Sequence, residues 1–487
     1  MKRYILPILI GIICIGFTGC EKDVLDKDPL DKLSSGQFWQ SKQDFDMALT
    51  AIYGELQNSM FSYGAPNWDV LTDNGYGQHS YWGSQAIVQG NISPSSGGYI
   101  TDVYSGCYRG IARINIFLQQ LANFQGEGID AGTKSQYEAE AMFMRGFYYF
   151  QLYSSYGAVP IVTEPLNLDN QIQPKATAAE VLARSLADLD TAIAGLSSDL
   201  YADNGGHAVK TSAQALKLRV LMFAAYGNTG TPDAGLMTQA KDLALEIMGS
   251  GYGLSPNFED VFKDGTQEGN PEIIFSIKFL APDNSTPSDQ WYGDWLVVSP
   301  LQNLVDAFDP LDPRLEKTIF VDEVNFNGNI HNPSNGMPTG YGLKKFLTPD
   351  LMPYGYSTQS QQDWVLLRYA DVLLMYAEAQ NELVGPDQSV YDAIDAVRDR
   401  VDMLGIPTGQ TKETMREIIR NERRIELAFE GLRFYDLKRW RIAGEVLNNV
   451  TDGLLDYTFE EKFYQWPLPL AEIDKGNGIL IQNPDYN

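Results

Sequence analysis

The chain has 487 residues and a formal net charge of −27, from 36 Lys and Arg against 63 Asp and Glu. That field repels phosphate backbones and argues against nucleic-acid binding, while 44% apolar residues argue against global disorder. Three Cys and three His leave little room for a disulfide framework, a zinc site or a haem site, whereas 27 Tyr, 22 Phe and 8 Trp suit a surface that stacks on something uncharged.

Lys2 and Arg3 precede an apolar run over residues 5–17. The run is too short for a membrane span, which needs about 20 apolar residues, and reads as a secretory leader. It ends Phe17-Thr18-Gly19-Cys20, which resembles a bacterial lipobox. Residues 1–19 are therefore expected to be removed and Cys20 to carry lipid. Cleavage takes Cys14 with it and leaves Cys107 as a lone thiol, expected to be a small buried residue. Glu21, Lys22 and Asp23 resemble the acidic export tags of surface lipoproteins.

Helical spacing runs through residues 34–56, with Phe45, Ala48, Leu49, Ile52 and Leu56 on one stripe. Residues 59–98 are rich in Gly, Ser, Asn and aromatics and read as a long loop excursion, a kind of segment that usually carries function. Helices are expected over 103–121 and 135–156, the second stopped by Gly157 and Pro160. A further helix over 178–196 has Thr177 as N-cap. Helix pairs follow at 212–226 with 236–248 and at 364–383 with 389–404. Ala139, Ala141, Gly146, Ala213, Ala215, Ala377, Ala379 and Ala393 lie on inner faces where backbones approach closely. Pairs of this length resemble degenerate tetratricopeptide repeats. Residues 249–363 lose the period, with one strand expected at 272–277. Helix returns over 411–444, capped by Thr411. The tail from Trp466 is irregular and Pro-rich.

Several segments together resemble one family. The run from Glu138 to Phe150, with Arg145-Gly146-Phe147-Tyr148 at its centre, leads to Tyr156-Gly157-Ala158-Val159-Pro160. Leu366-Leu367-Arg368-Tyr369-Ala370-Asp371 opens a second signature. Arg420-Asn421-Glu422-Arg423-Arg424-Ile425-Glu426 and Arg433-Phe434-Tyr435-Asp436-Leu437-Lys438-Arg439-Trp440 form a third. Trp466-Pro467-Leu468-Pro469 and Gln482-Asn483-Pro484-Asp485-Tyr486 close the chain. In this order they resemble the SusD/RagB family across the mature chain, although residues 305–314 lack an Asp-Gly insertion common there. The resemblance implies a lipid-anchored, surface-exposed outer-membrane lipoprotein. Such a protein captures oligosaccharides, works as a lid on a TonB-dependent SusC-like transporter, and is not catalytic. It implies a mostly α fold: tetratricopeptide-like helix pairs in a right-handed superhelix, packed against an irregular loop-rich half with a few short strands. The organisation expected is a signal peptide at 1–19, an N-terminal region at 20–230 and a C-terminal region at 231–487, in one compact unit.

The charged signature residues read as structural. Glu422 and Glu426 repel at helical spacing, with Arg420 and Arg424 near enough to offset them. Tyr435 and Trp440 read as packing anchors. The ligand is expected elsewhere, because a neutral sugar needs ring faces for its C–H surfaces and directed donors and acceptors for its hydroxyls. Two loop segments offer both. The first holds Trp68, Asp69, Asp73, Asn74, Tyr76, Gln78, Tyr81 and Trp82; the second holds Asp289, Gln290, Trp291, Tyr292, Asp294 and Trp295. The competing role for these aromatics is to pin long loops onto the body. Arg368, expected to begin a helix, either points to the site or pairs with Asp371. A structural calcium ion in an Asp/Asn loop is the single cofactor considered. The alternatives to glycan capture are a non-binding transporter scaffold and a glycoside hydrolase, for which no carboxylate pair stands out. His79, His207 and His331 are scattered, and neither a His-Glu-x-x-His nor a Gly-x-Ser-x-Gly motif occurs.

Overall fold

The structure, a computed structural model, describes residues 38–64, 67–326, 329–331, 336–451 and 454–486. The leader, Cys20 and the export tag lie outside the described residues.

The first helix, α1 (Lys42–Gly54), opens with a reciprocal cap in which Ser41 and Asp44 satisfy each other's backbone N–H. The excursion that follows carries β1 (Gly75–Gly77) and α2 (Ser84–Val88). Then come α3 (Tyr99–Asn123), α4 (Ala131–Tyr156), α5 (Ala178–Gly195), α6 (Lys210–Ala225) and α7 (Ala234–Met248). Asp130, Thr177 and Asp233 cap α4, α5 and α7 through side-chain oxygens. The loop-rich region holds β2 (Ile273–Ile277), β3 (Val298–Pro300), α8 (Gln302–Val305), α9 (Arg314–Thr318), β4 (Ile319–Phe320), β5 (Val324–Phe326), β6 (Asn329–His331), β7 (Gly342–Leu343) and β8 (Trp364–Arg368). The chain then returns to helix in α10 (Tyr369–Val384), α11 (Gln388–Asp399), α12 (Lys412–Glu426), α13 (Arg433–Arg439), α14 (Ala443–Leu447) and α15 (Leu470–Lys475).

Two expected elements differ. Residues 364–383 split into β8 and α10, because β8 pairs antiparallel with β2, placing Phe275 opposite Leu367 and Ile277 opposite Trp364. Tertiary pairing overrides the helical spacing there. Residues 411–444 break into α12, α13 and the start of α14, and the break passes through Phe429 at φ 65° and Gly431 at φ 78°.

Successive helices from α3 to α7 pack side by side, and α10 continues the stack against α7 and α11. The result is a superhelix of tetratricopeptide-like pairs against the irregular half. Small residues set the spacing. A Cβ on Gly146 would fall 2.8 Å from the Leu189 side chain, and one on Gly110 would fall 2.3 Å from the Tyr148 ring. Gly110→Ala is expected to lower stability by about 1–3 kcal/mol through overpacking between α3 and α4. Urea denaturation checks this, and an unchanged midpoint would show that the two helices part freely. Across the stack, Arg145 on α4 makes a buried two-bond pair with Asp188 on α5 (2.8 Å each) and donates to Asn115 on α3 at 2.9 Å. Cys107 is fully buried among apolar neighbours.

The charged signature residues lie inside the molecule. Glu422 and Glu426 both accept from Arg314 Nη1, at 2.6 and 2.9 Å. Arg423 faces Asp371 and Asp436. Arg424 reaches Asp73 and Asn74, and Arg433 binds Asp73 through two 2.9 Å bonds. The motif therefore ties α12 and α13 to the residues just before β1. Trp440 is buried, and Tyr435 donates to Gln151 Oε1 at 2.7 Å.

Candidate functional site

The two loop segments singled out in the sequence meet through β1 and β3. The strands are antiparallel, with Tyr76 opposite Ser299 and Gly77 opposite Val298. Leu301 N donates to Asn74 O at 2.9 Å, and Gln78 N donates to Val297 O at 3.3 Å, extending the pair at both ends. Space is tight at this junction. A Cβ on Gly77 would fall 2.4 Å from Ser84 Oγ, and one on Gly75 would fall 3.2 Å from the Phe429 ring.

Past β1 the chain makes a single helical turn over Ser80–Trp82, stopped by Gly83 at φ 84°. Before β3 it makes a wide π-type turn over Gln290–Asp294, a geometry that recurs at functional sites. Leu296, at φ 53°, follows directly. A branched residue held in the left-handed region stores strain, and such strain clusters where side chains are aimed. The His79 imidazole Nε2 sits 3.1 Å from Trp295 O and links the loops.

These turns gather aromatic rings into a strip. Trp82 and Trp295 lie 6.4 Å apart at 28°, close to parallel. Tyr81 joins Trp82 at 4.7 Å and stacks on His79 at 5.4 Å. Tyr356 joins Trp295 at 5.7 Å from the other side. Tyr81 is 71% exposed and Tyr356 86%, so the outer rings of the strip face solvent while the tryptophans are half-buried and fixed. Tyr76 is half-buried beside the strip, accepting from Gln85 Nε2 at 2.9 Å. Gln78 Oε1 and Gln290 Nε2, one from each segment, are buried amide atoms without a hydrogen-bond partner. Asp294 is exposed. Residues 75–98, 282–300 and 349–363 contain no Lys or Arg.

The structure does not bring every expected residue to this surface. Trp291 is half-buried against the core, and its carbonyl accepts from Val297 N, closing the loop behind Trp295. Trp68 is buried, stacks on Trp466 at 5.8 Å and 10°, and donates to Met60 O. Tyr292 is fully buried and donates to Gly64 O at 2.9 Å. Asp73 and Asn74 are buried against Arg433 and Arg424. Arg368 does not pair with Asp371; it is buried among Glu272, Glu426 and Glu430. Trp68, Tyr292, Asp73, Asn74 and Arg368 are corrections to the expected ligand set. They have the residue types of a sugar-binding rim, but their polar atoms are engaged by partners within the fold. Asp289 is likewise occupied, accepting from Thr348 N and Gln362 Nε2, and burial raises its carboxyl above the usual range. Asp69 is fully buried beneath β1, accepting from Asn74 Nδ2 and Phe429 N. Burial pushes its carboxyl up to about 6.

Tyr356 and the ring of His79 were missed by the sequence reading. Tyr356 belongs to Tyr354-Gly355-Tyr356 in a Pro- and Gly-punctuated stretch, the same signal that marked the other two loops. Tyr354 is the support: a Cβ on Gly293 would fall 2.3 Å from its ring. Among the described residues, no group of three or more His, Cys, Asp or Glu is arranged to hold a metal ion.

Two family profiles match the chain. One, described as the SusD family, covers residues 271–486. The other, described as starch-binding associating with outer membrane, covers residues 23–222. A SusD-like protein of Formosa agariphila is 26% identical over 96% of this chain and 96% of its own. Another from Bacteroides ovatus is 23% identical over 100% of this chain and 92% of its own. The solved structure of a SusD-like carbohydrate binding protein from Bacteroides fragilis has a TM-score of 0.78 at 25% identity, covering 92% of this chain and 100% of that one. A laminarin binding SusD-like protein has a TM-score of 0.75 at 24% identity, covering 92% and 100%.

Proposed function

Because the chain belongs to the SusD family, we propose that it captures uncharged glycans on the Trp82–Trp295 strip, as a lipid-anchored protein of the outer-membrane surface, and passes them to a TonB-dependent SusC-like transporter. The observation that carries this reading is the pairing of β1 with β3. It places two half-buried tryptophans 6.4 Å apart and nearly parallel, continued by exposed tyrosines. Such a strip gathers aromatic surface against which the apolar C–H faces of a sugar chain can pack. The lack of Lys and Arg in the three contributing segments leaves carboxylated or sulfated glycans without a counter-charge.

The reading is one of binding. Asp69, Asp73 and Asp289 are buried and hydrogen-bonded to donors of their own chain, which suits a supporting role better than proton transfer to a substrate. Outer-membrane association is in keeping with the description of the N-terminal family match. The transporter partnership follows from the family reading and is tested by co-purification from native outer membranes.

The first test is affinity electrophoresis in gels holding starch, a mixed-linkage β-glucan, xylan, mannan, pectate or alginate. The protein is expected to be retarded by at least one neutral polysaccharide and to run freely in pectate and alginate. Free migration in all six gels would remove the binding reading. Retardation by the acidic gels alone would remove the neutral specificity.

A further inference from the structure

A second cleft, which shares no lining residue with the aromatic strip, lies between α3, the segment after α4, and α15 with the tail that follows it. Its volume is about 570 Å³, within the range of about 300–1,000 Å³ usual for small-molecule sites. Tyr104 and Tyr108, one turn apart on α3, form its floor with ring centroids 4.7 Å apart. Tyr108 is held in place by the 2.6 Å bond from its hydroxyl to Pro160 O. The wall opposite comes from α15, whose first residue is tied down by Leu470 N donating to Pro94 O at 2.8 Å. The rim carries the side-chain amides of Gln171 and Asn477. The two charged side chains of the lining, Glu472 and Lys475, pair with each other at 2.8 Å.

We propose that this cleft is a second saccharide-binding site, taking a short uncharged oligosaccharide. The chemistry of the lining selects that class. Ring surface on the floor suits the apolar face of a pyranose. Amides that both donate and accept, together with one self-compensated ion pair, suit a ring of hydroxyls. An anionic ligand would have to compete with Glu472 for Lys475, and a cationic one with Lys475 for Glu472. The floor and the wall are both fixed by hydrogen bonds before any ligand arrives, which lowers the ordering cost of binding. The site stands on its own lining, apart from the Trp82–Trp295 strip.

The experiment removes the strip first. In a Trp82→Ala/Trp295→Ala protein, calorimetry and saturation-transfer NMR are run with maltotriose, cellotriose, laminaritriose, xylotriose and mannotriose. At least one is expected to bind. Ser105 is an exposed residue of α3 that lines the cleft, so Ser105→Trp on the same background fills the cleft without removing a core contact. It is expected to weaken the remaining binding by at least about tenfold with the thermal midpoint unchanged. The proposal is overturned if no trisaccharide binds the strip-deleted protein, or if Ser105→Trp leaves that binding intact. Binding by the parent that vanishes wholly with the two tryptophans refutes the cleft and leaves the strip reading standing, whereas a parent that binds no glycan refutes the strip.

Discussion

Arg368→Met is expected to destabilise the fold by about 3–5 kcal/mol, the usual cost of removing one partner from a buried ionic cluster. The guanidinium is 2% exposed and uses every face. Nη1 donates to Glu272 at 2.7 Å and Glu426 at 2.6 Å, and Nε and Nη2 clasp Glu430 at 2.7 Å each. Nη2 also reaches Glu426 O at 2.8 Å. Without it, three carboxylates face one another in the interior with Arg314, Arg400 and Lys345 as remaining counter-charges. Arg368→Lys should recover little, since one ammonium cannot reproduce the planar fork. Urea denaturation at pH 7 measures both variants, and a loss below about 1 kcal/mol would mean the cluster is far more solvated than its burial implies.

The same interior predicts acid sensitivity. Burial alone would raise the carboxyls of Glu426, Glu378 and Asp371. For Glu426 the opposing effects of Arg400, Arg368 and Arg314 prevail and hold it well below its ordinary range. Arg439 acts first on Glu378 and Arg219 on Asp371, bringing each to about 2. Carboxyls depressed in the folded state give stability that is present above their unfolded values of 4.5 and 3.8 and lost as pH falls toward 2. The urea midpoint of the parent should therefore drop steeply between those limits, and by less in the Arg368 variant.

Trp295→Ala and Trp82→Ala are each expected to cost about 1–3 kcal/mol of glycan affinity, by analogy with the stacking of bases on aromatic rings. The two ring centroids lie 6.4 Å apart, close enough to couple, so the double variant should lose less than the sum of the singles. Tyr356→Ala should cost less than either, because its ring meets Trp295 at 74° and stands at the end of the strip. Trp68→Ala is the informative contrast. Its ring is buried against Trp466, so it should lower stability and leave affinity nearly unchanged. Calorimetry against whichever neutral glycan retards the protein separates these outcomes. Equal affinity in Trp82→Ala, Trp295→Ala and the parent would place the site elsewhere.

Much of the fold was legible because helices announce themselves locally. Thr177, an expected N-cap, caps α5 in space, and Glu180 makes the cap reciprocal. Alanines on one face predicted close helix packing, and Ala213, Ala377 and Ala379 are buried. Residues 364–368 were misread because apolar Trp-Val-Leu-Leu fits helix and strand alike, and β2, which decides the matter, lies far away in the chain. The site was legible by composition and illegible by orientation. Trp68 and Trp82 sit in one Gly- and Asn-rich stretch, and nothing local says that one stacks on Trp466 and the other on Trp295. Asp73 looked like a sugar ligand because its partners, Arg424 and Arg433, had been read as structural on their own helices. Polar residues distant in sequence satisfy one another, and that pairing is a tertiary fact.

The joining of β1 to β3 has a temporal side. Tyr76 cannot find Ser299 until the helices between them have been made and the intervening chain has doubled back. Closing so long a loop is a late and slow event in folding, since its entropy is spent before the contact returns anything. A nascent or truncated chain that stops before residue 295 has Tyr81 and Trp82 but no opposing ring. Recognition on the strip is thus withheld until the chain has passed β3, and glycan binding there is expected to report that the segment before α3 and the segment after α7 have found each other.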